Sequence, residues 1–238
     1  MSLSNQAILI SGANRGIGAA TVRELLKAGA RKVYAGARNV QSLPDFGDSR
    51  VVPLGLDVTD EKSVAAAAAA AKDVDVLINN AGTLGFGDWL TSTQEVIELD
   101  MNTNYYGTLR VIQAFTPQLL ARRSGTIANV ISIVGLAPAS VLAGYSASKA
   151  ALHSLTLTLR GSLKPSGIRV VGIYPGPIDT ELVKNLPVEK VTTEYAAANI
   201  VRGLEEGQTE IYPDPLAQKI GQLWAPSGPQ LEAALQNG

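Results

Sequence analysis

The stretch Ala7-Ile8-Leu9-Ile10-Ser11-Gly12-Ala13-Asn14-Arg15-Gly16-Ile17-Gly18 decides the fold. A short apolar run stops at a glycine, and a helical pattern over 16–28 starts among further glycines and closes at Gly29. That is the signature of a buried strand, a tight turn and a helix. Glycine lets the backbone turn sharply and come close to a ligand. The helix start offers unpaired N–H groups and the positive end of its dipole, which suit a pyrophosphate. The loop residues Gly12, Asn14, Arg15, Gly16, Ile17 and Gly18 are therefore candidates for holding a dinucleotide. The spacing is GxxxGxG rather than the commoner GxGxxG, so a plain tight turn stays open as the other reading.

Working outward, apolar β-branched runs alternate with helical stretches. Strands read over 31–37, 50–56, 75–79, 125–132, 168–174 and 209–212, and helices over 91–122, 144–164 and 193–206. A further helix follows Asp57-Val58-Thr59-Asp60, with Thr59 or Asp60 as its cap. Its alanine tract, 65–71, reads as an ordinary crossover helix, since alanine is the best helix former. Continuous apolar strands alternating with helices imply a parallel sheet covered on both faces. The expectation is an α/β, single-domain, doubly wound Rossmann-type fold: a mainly parallel sheet of about seven strands. One domain is expected over 1–238, with 181–206 as substrate lid region and 225–238, rich in Pro, Gly and Gln, as a C-terminal tail.

The composition excludes several function classes. The 238 residues are 46% hydrophobic, which argues against disorder. Twenty basic and 21 acidic residues leave a net charge of -1, with no basic stripe for nucleic acid or anionic membrane. Cysteine is absent, so thiolate chemistry and Cys-based zinc sites are excluded, and no metal is expected. The opening MSLSNQAILISG lacks a basic n-region, and no apolar stretch reaches the about 20 residues needed to cross a bilayer. A soluble, cytoplasmic protein is expected.

At the end of the second strand, where NAD-binding folds place an acid for the ribose, the sequence has Gly36-Ala37-Arg38. Arg38 offers a planar cation suited to a 2′-phosphate, and Arg15 is placed to reach the same region. Taken singly each is a solvated arginine; together they favour NADP(H) over NAD(H). Tyr145 and Lys149 stand four apart at the start of a helix and so share one face. An ammonium one turn away favours the phenolate and lowers the phenol's pKa toward a useful range, although an exposed Tyr–Lys pair has the same spacing. Ser132 ends the fifth strand, at the edge where parallel sheets bind ligands; it reads as a substrate-oxygen ligand or as a strand-end cap. Asn104, a poor helix former inside a long helix, reads as a local hydrogen bond that bends it.

With these landmarks in place, the sequence resembles the short-chain dehydrogenase/reductase family, up to about residue 212. Residues 11–18 match its TGxxxGxG loop with Ser11 in place of Thr; Asn79-Asn80-Ala81-Gly82 matches NNAG. Asn104, three before Gly107, matches the helix asparagine; Ser132 lies thirteen before Tyr145; Tyr145-Ser146-Ala147-Ser148-Lys149 is a complete YxxxK; and 175–180 matches the PG motif. The family often has two serines at the fifth strand, and here the first is Ile131.

The resemblance implies catalytic roles for Asn104, Ser132, Tyr145 and Lys149. Tyr145 is expected as general acid or base, Lys149 as ribose ligand that lowers the Tyr145 pKa, Ser132 as substrate-oxygen ligand, and Asn104 as holder of a relay water. It also implies cofactor contacts from the glycine loop, Asp57 and Val58 beside the adenine, Asn80, Ala81 and Gly82 beside the ribose, and Pro175, Gly176, Ile178 and Thr180 at the nicotinamide. His153 is expected to pack within the helix after Tyr145. A homo-oligomer, tetramer or dimer, is expected through the two long helices.

The expected activity is NADPH-dependent reduction of a ketone or aldehyde, reversible with a secondary alcohol. Two alternatives stand beside it. A 3-oxoacyl-carrier-protein reductase would favour a basic entrance, but 181–192 carries two Lys and two Glu. A non-catalytic NADP(H)-binding sensor or scaffold usually lacks the Tyr or Lys that this chain has. Leu84, Phe86, Trp89, Leu136, Leu142 and Leu182 are the expected apolar lining of a substrate pocket.

Overall fold

A computed structural model describes residues 2–224; the tail expected over 225–238 lies outside the described residues. Seven strands form one sheet: β1 (Ala7–Ser11), β2 (Lys32–Ala37), β3 (Val51–Gly55), β4 (Val76–Asn79), β5 (Gly125–Val130), β6 (Ile168–Ile173) and β7 (Glu210–Ile211). Their order is β3-β2-β1-β4-β5-β6-β7, and every pair is parallel. The order reverses between β1 and β4, and the strand ends around that reversal open a crevice. Pro53, which cannot donate to a ladder, sits in β3 at the sheet's edge, where it is tolerated.

The alternation of side chains along each strand builds two cores. Ile8 and Ile10 of β1 and Val76 and Ile78 of β4 face one side, where Val22 and Leu25 of α1 (Gly16–Lys27) and Ile200 and Leu204 of α6 (Thr193–Glu205) cover them. Leu9 and Leu77 point to the other side, toward Val111, Ile112, Phe115 and Leu119 of α4 (Thr108–Arg122). That side also carries α2 (Glu61–Ala70), whose buried residues are Val64 and Ala67, with Ala71 buried just past its end. Asp60, not Thr59, caps α2, accepting from the Lys62 N–H. The long α5 (Ala143–Leu163) leans on β6.

Three sequence expectations change. The helix read as 91–122 begins at α3 (Gln94–Asp100) and passes through a wide π turn, Met101–Gly107, before α4. Such turns cluster at functional sites, and this one carries Asn104. Of the segment read as 181–206, the part from 193 on is α6, which buries Ala196, Ala197, Ile200 and Leu204 and packs along α1. A helix not expected from sequence, α7 (Pro215–Trp224), follows β7. Among the described residues no helix is long and apolar enough to cross a membrane.

Candidate active site

The C-terminal ends of β1, β4, β5 and β6 meet in a cleft of about 920 Å³, within the range of small-molecule and cofactor sites. Its walls bring together every cofactor candidate read from the sequence: Gly12, Asn14, Arg15, Gly16, Ile17, Gly18, Arg38, Asp57, Val58, Asn80, Ala81, Gly82, Tyr145, Lys149, Pro175, Gly176, Ile178 and Thr180. Ser132 lines it as well, whereas Asn104 lies behind the wall, fully buried.

The glycine loop is held by a hydroxyl. Ser11 Oγ accepts from the N–H groups of Asn80 and Ala81, both at 3.0 Å. The Asn80 amide returns two bonds, to the carbonyls of Ser11 at 3.0 Å and Gly12 at 3.1 Å. Serine thus does in this chain what the threonine of the motif would do, and it knits the ends of β1 and β4 together. Gly12 has φ +67°, and a Cβ there would stand 2.9 Å from Ala81 Cα. A side chain on Gly18 would drive into the Gly12 carbonyl. The first turn of α1 has no side-chain cap, so its N–H groups face the cleft open. Arg15 and Arg38 have no hydrogen-bond or ion-pair partner among the described residues and both line the cleft. A glycine cradle, an uncapped helix start and two unpaired guanidiniums fit a dinucleotide with an extra phosphate. Asp57 is engaged already, accepting from the Thr59 N–H at 2.9 Å and hydroxyl at 2.7 Å.

At the other end, Lys149 is buried, 4% exposed, and its ammonium donates to the Val130 carbonyl at 2.8 Å. It sits 5.6 Å from the centroid of the Tyr145 ring, over the face rather than at the hydroxyl. Burial pulls Lys149 down to about 8, with the charge of Asp100 working the other way. Burial also pushes the Tyr145 phenol well above its ordinary value; Ser132 holds it down and Asp100 adds to the rise. Burial is thus the largest influence on the phenol in the free chain, and the four-residue spacing to Lys149 did not reveal it.

Ser132 adopts φ 150° and ψ 157°, a region almost reserved for glycine. That conformation costs about 1–3 kcal/mol and is retained where surrounding contacts dictate it. Here the Ser132 hydroxyl donates to the Pro175 carbonyl at 3.1 Å, and the Ile133 N–H reaches the same oxygen at 3.0 Å. Asn104 spends its amide inside the protein: Oδ1 accepts from the Thr83 N–H at 2.9 Å, and Nδ2 donates to the Thr83 carbonyl and to Ser148 Oγ.

The substrate end differs from expectation. Leu84 and Leu182 line the cleft together with Leu99, but Phe86, Trp89, Leu136 and Leu142 do not. Trp89 is 61% exposed on the loop before α3, and Leu142 is buried against the start of α5. The segment after the PG motif has pinned feet: the Asp179 N–H donates to the Val191 carbonyl at 2.9 Å, and Ile178 and Val191 form a bridge. His153 reaches Tyr174 Oη at 2.9 Å through Nδ1, bridging α5 to the end of β6.

Two buried acids escaped the sequence reading. Asp214 accepts from the Gly176 N–H at 2.7 Å and from Ala217 at the start of α7, so it fixes the PG loop. Its Asp-Pro step before an amphipathic run was a readable helix-start signal. Asp100, at the junction of α3 and the π turn, accepts from Thr83 Oγ1 at 2.8 Å and the Gly85 N–H at 3.0 Å. Nothing in the sequence distinguished it from its exposed neighbours Glu95 and Glu98.

A family model for the short chain dehydrogenase matches residues 6–190. The mouse protein dehydrogenase/reductase SDR family member 7 is 32% identical over 80% of the chain, which spans 60% of that relative's length. The NADPH-dependent 1-acyldihydroxyacetone phosphate reductase of Schizosaccharomyces pombe is 36% identical over 82% of this chain and 67% of its own. Among solved structures, a short chain dehydrogenase from Burkholderia cenocepacia in complex with NADP shares 40% identity. It superposes with a TM-score of 0.90 over 99% of both chains.

Proposed function

The chain belongs to the short-chain dehydrogenase family, and from that premise we propose that it is an NADPH-dependent carbonyl reductase, reversible with a secondary alcohol. The observation that carries this reading is the pairing within one cleft of Ser132, Tyr145 and Lys149 at one end with two unpaired guanidiniums, Arg15 and Arg38, at the other. Bound NADPH supplies the hydride. The open N–H groups of α1 and the glycine cradle hold its pyrophosphate, and Arg15 and Arg38 hold the 2′-phosphate.

The substrate carbonyl oxygen competes with Pro175 for the Ser132 hydroxyl and takes the phenolic proton of Tyr145. A phenol with a raised pKa remains protonated throughout the physiological range, so the free site is loaded for reduction. Lys149, near about 8, is mostly charged at neutral pH. It binds the ribose and favours the phenolate that proton donation leaves behind. The lid over 181–192, together with Leu84 and Leu99, bounds the substrate end, and the exposed Trp89 lies too far out to select substrate. The family resemblance further favours a homo-oligomer acting in the cytoplasm.

The test follows NADPH and NADH oxidation separately against acetophenone, 2-octanone, diacetyl, an aldehyde and an acetoacetyl thioester. NADPH-dependent turnover on part of the panel is expected. Arg38→Ala is expected to weaken NADPH binding by roughly 10–100-fold, the loss of a charge-assisted phosphate contact, and to leave NADH binding nearly unchanged. An equal change for both cofactors would show that Arg38 does not read the 2′-phosphate.

A further inference from the structure

Asp100 is a buried acid without a part in the chemistry so far. It is 1% exposed, and both carboxylate oxygens are seated by donors of the segment that follows β4, Thr83 Oγ1 and the Gly85 N–H. Four residues on, Asn104 grips the main chain of Thr83 from both sides. The two side chains thus clamp one short segment onto the π turn. The segment's first residue, Gly82, is squeezed between the Asn104 side chain and the catalytic ammonium: a Cβ on Gly82 would stand 2.9 Å from Asn104 Oδ1 and 3.7 Å from Lys149 Nζ. The carboxylate therefore binds Thr83, the neighbour of a glycine whose missing side chain leaves room beside the Lys149 ammonium.

A buried ammonium with one protein hydrogen bond, to the Val130 carbonyl, lacks a counter-charge in contact with it. A carboxylate in direct contact would tie the lysine up and keep it from a ribose. One held a residue away leaves the ammonium's donors free and still favours its charge.

We propose that Asp100 is the counter-charge of Lys149, a positioning residue that keeps the buried ammonium charged without engaging it. The proposal rests on the reading of Tyr145 and Lys149 as the acid–base pair. Few charges compete with it. Glu95 and Glu98, on the same helical stretch, are exposed, and Asp88 is exposed; Arg110, one helical stretch on, keeps its charge, since it bonds only the neutral Asn102 amide. The segment 80–87 carries no ionisable side chain. From α5, the facing ionisable groups are Tyr145 and Lys149 themselves. Asp100 acts on both in the same direction, raising the Lys149 ammonium and the Tyr145 phenol. Burial pushes its own carboxyl upward, while Thr83, Gly85 and Lys149 hold it down.

The experiment is Asp100→Asn, which keeps the size and removes the charge; its amide oxygen can still accept from the Gly85 N–H, and its NH2 donates to Thr83 Oγ1 once that hydroxyl turns. The first readout needs no turnover: the ¹³Cε resonance of Lys149 in lysine-labelled full chain, assigned with Lys149→Arg, titrated with pH. Lys149 is expected to titrate near about 8 in the parent protein and on the order of one pH unit lower in Asp100→Asn. The second readout is the pH profile of kcat/KM for oxidation of 1-phenylethanol and 2-octanol with NADP⁺. Both limbs are expected to move toward acid, because loss of the negative charge lowers both groups. Asp100→Glu keeps the charge and is expected to hold the parent limbs even where rates fall. If Asp100→Asn does not fold, Asp100→Ser, neutral and smaller, is read the same way. An unmoved Lys149 titration, or a uniform loss of rate at every pH, would overturn the proposal. Turnover by Tyr145→Phe would instead remove the acid–base reading and leave the titration to judge Asp100 alone.

Discussion

Tyr145→Phe is expected to lower kcat for ketone reduction by about 10²–10⁴-fold, the usual contribution of a positioned general acid. The dissociation constant for NADPH should stay within roughly a factor of two, because the phenyl ring keeps its packing. The size of the effect follows from where the proton sits. Tyr145 is a half-buried phenol on the cleft wall whose pKa is raised by desolvation and by Asp100, so in the free site it is a loaded donor. Lys149 cannot replace it, since its ammonium points to the Val130 carbonyl. Nor can Ser132, whose hydroxyl is spent on Pro175 and whose backbone is strained. Stopped-flow hydride transfer and NADPH fluorescence titration on the same preparation separate the two quantities. Loss of both together would point to a collapsed site rather than a missing proton, and retained turnover would take Tyr145 out of the proton donor's place.

Gly18→Ala is the second large effect. A Cβ at this position runs into the Gly12 carbonyl and stands 2.6 Å from the Asn80 amide nitrogen. Neither neighbour can yield cheaply. The Asn80 amide already bonds Ser11 and Gly12 carbonyls, and the adjoining N–H of Asn80 is held by Ser11 Oγ. The loop must therefore open, at about 1–3 kcal/mol of stability for an overpacked interior position. NADPH affinity should fall on the order of 100-fold as the cradle loses its shape. Gly55→Ala in β3, where nothing lies within 4 Å of the new Cβ, is the matched control and should leave binding unchanged. Urea melts and NADPH titrations of the two variants make the comparison; parent-like binding by Gly18→Ala would show that the loop is not the pyrophosphate cradle.

Much of this fold could be read from residue order because its strands are buried on both faces and stop at glycines. The run 7–11, the Gly12–Gly18 turn and the helix after it have a local physical cause, and so does the Asp60 cap of α2. The wall of the cleft followed from the same logic, since strand ends collect there whatever the loops do. What escaped depends on distance in sequence. The π turn at Asn104 exists to meet Thr83 and Ser148, some 20 and 44 residues away. Asp100 looks like its exposed neighbours until the segment after β4 folds against it. The direction of the Tyr145 pKa could not be read from a four-residue spacing, because spacing shows proximity to Lys149 but not the loss of water around both. Phe86 and Trp89 were apolar residues near the right loops, yet side-chain direction there is set by the Gly87 to Val141 pairing between two loops.

The pinned feet of the segment between Ile178 and Val191 have a consequence for how such a protein changes over generations. The Ile178–Val191 bridge closes residues 179–190 into a loop anchored outside the seven-stranded sheet. Because the cost of closing a loop rises only slowly with its length, insertions or exchanges between those feet can accumulate at little expense to folding. The part of the cleft wall that 179–184 supplies can therefore change as a separable cassette, while the glycine loop and the cluster of Ser132, Tyr145 and Lys149 stay as they are.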